Sequence, residues 1–494
     1  MKNTTGTLKG GFLLYVFVIT LLIGFWLRTT GLESSSFWLD EVYSHQRASE
    51  GDWGELYQTL RDKNHAPLYS AVLLRLWMNL GDGEFFLRFL TAAIGVLNIS
   101  VVGLLGKEVC DAKLGLLSAC LLATSPMHIH YSKEARMYVP TALFASLAVY
   151  WLFRAVKNGR WRQWAGYVFT ATLSLYTHYY SAFTLIAVNG FVLIGSWQKD
   201  DRELTKALLL SNMVIGLLFT PWLPTFWAQL QGNPVSWITP VSWRSFHTTF
   251  TRFFIHKAVL EQTYALFACL LVLVLVTGEV AIIRRRHEYP RVWWSYLFVV
   301  SGFQGPILIA LVVSIFKPFI VDRYFVTTIV LASVALSWSI TELSRHRLGL
   351  LLSCVLLAGV LTSAYGTGTI QWREDWRQAA DYLRDNAEPG DALILGSHLQ
   401  QAPLDHYYSG PVLQYSLPTN PMCKDETNCR TNVKQAIESL HPQRLWTVRT
   451  ERFHGDHRLE DYIGRGYLGP QVSCQDFGGF WEAELCLYEV DSCE

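Results

Sequence analysis

Apolar stretches long enough to cross a bilayer recur along most of this chain. A hydrocarbon core of ~30 Å needs about 20 mostly apolar residues per helical span. Scanning on that basis places about eleven spans, near 11–28, 88–106, 114–130, 137–156, 164–181, 182–197, 207–224, 264–283, 293–315, 323–342 and 348–366. Composition agrees: 51% of the 494 residues are hydrophobic and only 16% charged, against roughly a quarter charged in soluble proteins. That much apolar surface excludes a disordered chain. A formal net charge of +1 gives no basic surface for nucleic acid. Nineteen Trp and 23 Tyr suit membrane–water boundaries. The first stretch is too long for a signal peptide and no small-residue cleavage site follows it, so it reads as a retained helix. The fold class is a mostly α polytopic membrane protein.

Orientation follows from Lys and Arg in the short loops. Lys107 and Lys113, then Lys157, Arg160 and Arg162, then Lys199, Arg202 and Lys206 occupy alternate loops. Arg284, Arg285, Arg286 and Arg291, then Arg345 and Arg347, continue the series. Eleven spans put all of these on the cytoplasmic side with the N-terminus, and the C-terminus outside. The expected organisation is therefore a transmembrane domain over 1–369 with outer loops 29–87 and 225–262, followed by an outer soluble domain over 370–494. Phe246, Phe250, Phe253 and Phe254 at helical spacing predict an interfacial helix in the second loop. In the tail, apolar runs at 392–395, 445–448 and 485–490 read as strands and 375–385 as a helix, which gives a small α/β domain.

Five of nine cysteines lie in that tail. The short intervals Cys423 to Cys429 and Cys474 to Cys486 suit local disulfides in an oxidising compartment, with Cys493 left over. A metal site is the alternative, although no Cys-x-x-Cys spacing occurs. Cys110, Cys120, Cys269 and Cys354 fall in or beside apolar spans, where a small buried hydrophobe is expected. The outer segments lack Asn-x-Ser/Thr, which favours a bacterial envelope and an inner-membrane location.

Unusual polar residues collect on the outer face. Asp40-Glu41 follows the first span in an aromatic setting; adjacent carboxylates repel, and partial burial raises a pKa toward that of a general base. The competing reading is a solvated helix N-terminus. Lys63-Asn64-His65-Ala66-Pro67 puts cations before a Pro-fixed helix entry, where a phosphate could sit. The third span ends in His128, His130, Glu134, Arg136 and Tyr138. His178-Tyr179 and Arg323-Tyr324 lie at other outer boundaries, where Arg323 could grip a phosphate or simply snorkel. The Gly-rich phosphate loop, the nucleophile elbow and the zincin motif are absent.

Taken together, Asp40-Glu41, His65-Ala66-Pro67-Leu68-Tyr69, Glu134-Ala135-Arg136-Met137-Tyr138, Arg323-Tyr324 and the tail opening Asp375-Trp376-Arg377-Gln378-Ala379-Ala380 resemble the GT-C membrane glycosyltransferases. The closest likeness is to the superfamily of protein O-mannosyltransferases and lipid A aminoarabinose transferases. The resemblance implies a polyprenyl-phosphate-linked sugar as donor, a glycan, lipid or protein acceptor, and no required cofactor, a divalent metal being possible but not expected. It implies Asp40 as catalytic base with Glu41 beside it. His65, Lys63, Arg323 and Tyr324 would hold the donor phosphate. Glu134, Arg136, Tyr138, His178 and Tyr179 would line the cavity. His65-Ala66-Pro67 departs from the commoner Lys- or His-Pro-Pro, which makes the pocket charge pH-dependent if His65 binds phosphate. A single displacement would invert the anomeric carbon. Competing readings are a lipid or sugar flippase, for which internal repeats and midplane charges are missing, a non-catalytic assembly protein, and an oligosaccharide ligase.

Overall fold

The computed structural model describes residues 4–62, 66–232, 238, 240–288, 290–416, 442–450, 471–478 and 482–490. All eleven apolar stretches are helical. Among the described residues nine helices are long and apolar enough to cross a membrane, or ten when the bent pair Ala112–Ala123 and Pro126–Ser132, which meet at 60°, is counted as one span. Trp161–Thr177, with 17 residues, is the one stretch that falls short of that length. The chain is a multi-pass membrane protein.

Each boundary has a local cause. Asp111 caps Ala112–Ala123 by accepting the Lys113 and Leu114 N–H groups, both at 2.9 Å. Ser125 caps the next helix, with Pro126 at its first position. Tyr138–Asn158 stops at Gly159, whose φ of +66° is left-handed. The helix Val326–Leu343 is buried on nearly every side, as an apolar helix packed within a bundle must be.

Two compact units divide the chain: 1–30 with 47–369, and 31–46 with 370–494. Residues 31–46, which the sequence places in the first outer loop, thus belong to the second unit. That unit is built on a five-stranded mixed sheet of β1 (Ala392–Leu395), β2 (Leu413–Ser416), β3 (Arg444–Thr450), β4 (Gln471–Gly478) and β5 (Glu482–Glu489), in the order β2-β1-β3-β5-β4. β1 pairs in parallel with β2 and β3, whereas β5 runs antiparallel to β3 and β4. Its core is Leu393, Leu395, Trp446, Val448, Leu485 and Leu487 from the sheet, with Trp376, Ala380 and Leu383 from the helix Trp376–Asn386.

Cys474 and Cys486 face each other across β4 and β5 and form a disulfide. Cys423, Cys429 and Cys493 lie outside the described residues. Cys110, Cys269 and Cys354 are exposed, not buried as expected; the last two lie on spanning helices, whose apolar residues can face lipid as readily as protein. The aromatic ridge of the second outer loop also differs from expectation. Its helix, Trp243–Thr251, forms, but Phe253 and Phe254 are 2% exposed and Phe250 packs on Phe325 at 5.2 Å. The ridge is keyed into the bundle, and only its leading Trp243 stands out, 80% exposed.

Candidate functional site

The acidic pair opens the helix Leu39–Ser49, where carboxylates favour the N-terminal dipole. The two side chains are not equivalent. Glu41 is fully buried; its Oε2 accepts the Trp38 N–H at 3.4 Å and lies 3.5 Å from Arg373 Nη1. The Arg373 guanidinium also covers the Trp38 ring, 4.4 Å from its centroid. Ser36 accepts the Trp376 N–H at 2.7 Å, and the Phe37 N–H donates to the Tyr407 hydroxyl at 2.7 Å. Segment 31–46 is thereby bound to the tail domain before and at its acidic residues, and beyond them the His45 ring lies 5.1 Å from that of His406. Asp40 is half-buried, the more accessible carboxylate of the two.

A second constellation occupies the first unit. The turn between helices Pro126–Ser132 and Tyr138–Asn158 carries Glu134 and Arg136, 2% and 4% exposed. Such deep burial of charge requires compensation. Glu134 Oε1 lies 3.2 Å from His130 Nε2, one helical turn back. Arg252, from the helix end in the second outer loop, pairs with Asp322. Asp322 also accepts the Arg323 N–H at 2.7 Å, which shapes the short 3-10 turn Asp322–Phe325 that presents Arg323 and Tyr324. His256 is pushed down to about 3, by burial first and then by Arg252 and His130.

Tyr138, Thr141, His178, Tyr180, Arg323 and Tyr324 line one cleft in this unit. The His178 ring lies 4.8 Å from that of Tyr324 and 6.1 Å from that of Tyr138. Tyr180 completes the aromatic wall at 5.0 Å from Tyr324, its hydroxyl donating to the Phe319 carbonyl at 2.8 Å. Burial, then Arg136 and Arg323, drives His178 down to about 3. Its Nδ1 accepts the Tyr180 N–H at 3.2 Å, which leaves the proton on Nε2. The cleft therefore combines a neutral imidazole donor with the Arg323 guanidinium, and the charge of Arg136, outside the lining, is also felt at that imidazole. Such a set suits a phosphate or another compact anion.

The structure thus brings together Arg136, Tyr138, His178, Arg323 and Tyr324. Tyr179 turns elsewhere: its hydroxyl donates to Gln229 Oε1 and accepts the Trp222 indole N–H, both at 2.7 Å, within an apolar cluster around Leu56, Leu60 and Trp222. Lys63 and His65 lie outside the described residues; just after them Leu68–Leu74 is π-helical, a conformation frequent near functional sites. Sequence reading passes over Arg252. Asp322 and Tyr180 lie in the boundary stretches it singles out, 317–324 and 178–180, but receive no role there. Among the described residues the one cluster with metal-ligand spacing is Cys474, Glu484 and Cys486, and its two sulfurs are joined in the disulfide.

Comparison with known proteins matches the fold that the motifs imply. A family model described as dolichyl-phosphate-mannose-protein mannosyltransferase matches residues 64–227. Among solved structures, the Archaeoglobus fulgidus oligosaccharyltransferase in complex with Zn and sulfate superposes with a TM-score of 0.56 at 12% identity, covering 87% of this chain and 67% of that one. The archaeal oligosaccharyltransferase AglB from the same organism, with an inhibitory peptide and a dolichol-phosphate, gives 0.54 at 12%, covering 89% and 69%. ArnT from Cupriavidus metallidurans, bound to undecaprenyl phosphate, gives 0.50 at 14%, covering 97% and 98%. No curated protein matches the sequence.

Proposed function

We propose, from the premise that the chain carries the GT-C membrane-transferase fold, that it transfers a sugar from a polyprenyl-phosphate-linked donor to an acceptor hydroxyl at the outer face of the membrane. The observation that carries this reading is the cleft in which Arg323, Tyr324 and a neutral His178 come together under the influence of Arg136. Such a cleft suits a compact anion, and ArnT is known with undecaprenyl phosphate bound.

The chemistry divides by residue type. Asp40 takes the proton of the acceptor hydroxyl, whose oxygen then bonds to the anomeric carbon. The bond from that carbon to the phosphate oxygen breaks, and the departing phosphate keeps the electron pair. Arg136 and Arg323 offset its charge, and His178 donates from Nε2; one such donor is typically worth ~3 kcal/mol in the transition state. Tyr324, with Lys63 and His65, completes the phosphate set, and Glu134 and Tyr138 shape the cavity wall. One displacement opposite the leaving group inverts the anomeric centre. These groups supply base and electrophile without a metal step.

Oligosaccharide ligation is the second reading, favoured by the two archaeal oligosaccharyltransferase superpositions. Coverage of nearly the whole of ArnT, against about two thirds of the oligosaccharyltransferase, favours the monosaccharide reading. The test is release of labelled sugar from a panel of polyprenyl-phosphate monosaccharides in detergent, with an envelope-lipid extract as acceptor, comparing the native protein with Asp40→Asn and Arg323→Gln. Turnover of one donor that collapses in both variants supports the proposal. Turnover only of a diphosphate-linked oligosaccharide turns the reading to the ligase, and turnover of nothing turns it to a flippase.

A further inference from the structure

Arg28 is the least exposed charged side chain of the first unit among the described residues. It sits in the last turn of the first span, 0% exposed, where an unpaired cation is costly. Carbonyls and an imidazole surround it in place of a carboxylate. Nη1 donates to Gly24 O at 3.0 Å and to Ala123 O at 2.9 Å; Nη2 donates to Leu122 O and reaches His128 Nδ1, both at 2.9 Å. Leu122 and Ala123 end the first half of the bent helix pair, and the carbonyls at a helix C-terminus have no partner within the helix. The guanidinium donates to both carbonyls at the 60° break, where Leu122 O also accepts the Ser125 N–H at 3.3 Å, and complements the negative end of the helix dipole.

The network continues past the break. A guanidinium only donates, so His128 Nδ1 accepts and its proton lies on Nε2. The Asn98 amide is 3.2 Å from that nitrogen and 3.0 Å from Ser146 Oγ. Hydrogen-bond logic turns the Asn98 oxygen toward Nε2 and its NH2 toward Ser146, whose own proton goes to the Ala142 carbonyl. A Cβ at Gly95 would overlap Ser132 Oγ and come within 3.2 Å of Arg28 Cδ, so glycine there lets the helices close around the network. His128 lies before the 133–137 turn and Ser146 lies after it.

We propose that Arg28, His128, Asn98 and Ser146 form a buried strut that fixes the 133–137 turn, making Arg28 a positioning residue for Glu134 and Arg136. Only the link from that turn to turnover rests on the transferase reading; the strut itself does not.

The experiment compares hydrogen exchange and donor turnover of the full-length protein in detergent with Arg28→Lys, Arg28→Met and Ser146→Ala. Peptides covering 126–137 should exchange at least about tenfold faster in Arg28→Met, the factor for losing one charge-assisted hydrogen bond. Ser146→Ala, the mild variant if Arg28→Met does not fold, should show about threefold. Peptides from the tail sheet should keep native protection. Turnover of a polyprenyl-phosphate sugar should fall about 100-fold in Arg28→Met through kcat, as for a 1 Å misplacement, with KM within about twofold. Arg28→Lys, which still donates to the carbonyls, should fall between native and Arg28→Met. Native exchange over 126–137 in a folded Arg28→Met, or in Ser146→Ala if Arg28→Met does not fold, overturns the strut. Faster exchange with unchanged kcat overturns the positioning role. A native protein without turnover removes the transferase reading and leaves exchange to decide the strut.

Discussion

Replacing Glu41 by Gln separates two roles that adjacent carboxylates could share. Glu41 is fully buried between the Trp38 N–H and Arg373. Removing one partner of a buried ion pair commonly costs about 3–5 kcal/mol, because the other charge is stranded. Two features lower that figure here. Both contacts are long, at 3.4 and 3.5 Å, and Arg373 keeps the face of Trp38, a contact worth ~1 kcal/mol. Gln also still accepts the Trp38 N–H. We therefore expect Glu41→Gln to destabilise the tail unit by about 2 kcal/mol, and Glu41→Ala, which adds a cavity, by about 3–4 kcal/mol. Asp40→Asn, half-buried, should stay within ~0.5 kcal/mol of native stability. Activity should order the other way: Asp40→Asn loses about 100-fold or more, while folded Glu41→Gln keeps most of its turnover. Pulse proteolysis across a urea series, read on the tail fragment, gives the stabilities, and labelled-sugar release gives the activities. Native stability of Glu41→Gln, or equal losses of stability and turnover in both variants, would refute the division of labour.

Three further outcomes follow from the same structure. His178, driven from 6.5 to about 3, stays neutral when folded but takes a proton when unfolded, so its contribution is complete above pH 6.5 and lost as pH falls toward 3; His178→Gln should flatten the Tm profile between pH 4 and 6.5, and an unchanged slope would contradict this. Burial alone would raise the Asp391 carboxyl, but hydrogen bonds from Arg444, the backbone and Trp446 hold it below 3.8; its contribution is present above that pH and lost below it, and Asp391→Ala should cost the tail about 3 kcal/mol in urea unfolding. Opening the Cys474–Cys486 disulfide, with a separation of 12 residues, should cost about 3 kcal/mol, measured as a lower urea midpoint for the tail in Cys474→Ser/Cys486→Ala.

Much of this was legible in the sequence. Length and hydropathy were enough to find the long apolar helices, because a bilayer tolerates few other ways to satisfy a backbone, whereas the helices Leu39–Ser49, Trp53–Asp62 and His398–Tyr407 carry no such signal. The break at Thr124–Ser125 was not, since Ala112–Ser132 reads as one apolar run and only the three-dimensional path of its carbonyls reveals the bend. In the tail, 392–395, 445–448 and 485–490 announced themselves by apolar runs, whereas β4, Gln-Val-Ser-Cys-Gln-Asp-Phe-Gly, is exposed along nearly its whole length and carries little pattern. Arg136, Tyr138, His178, Arg323 and Tyr324 stand out by their polarity at a membrane edge; the last four line one cleft, and Arg136 sits over the Tyr138 ring. Tyr179 had the same local signal as His178, yet its side chain points to Gln229 and Trp222. Arg28 gave no warning because one Arg at a span end looks like snorkelling. Neither the Arg28 strut nor the Glu41–Arg373 pair, 332 positions apart, has any local trace.

The joining of 31–46 to the tail sets a rule for anyone recombining such proteins. The gene's obvious cut, after the last span, would divide one folded body between two parents. Ser36 and Phe37 from the recipient would face a foreign Trp376 and Tyr407, and Glu41 a foreign Arg373. A working hybrid needs three junctions, near 30, 46 and 370, so that the acidic pair travels with the tail residues that bind its segment.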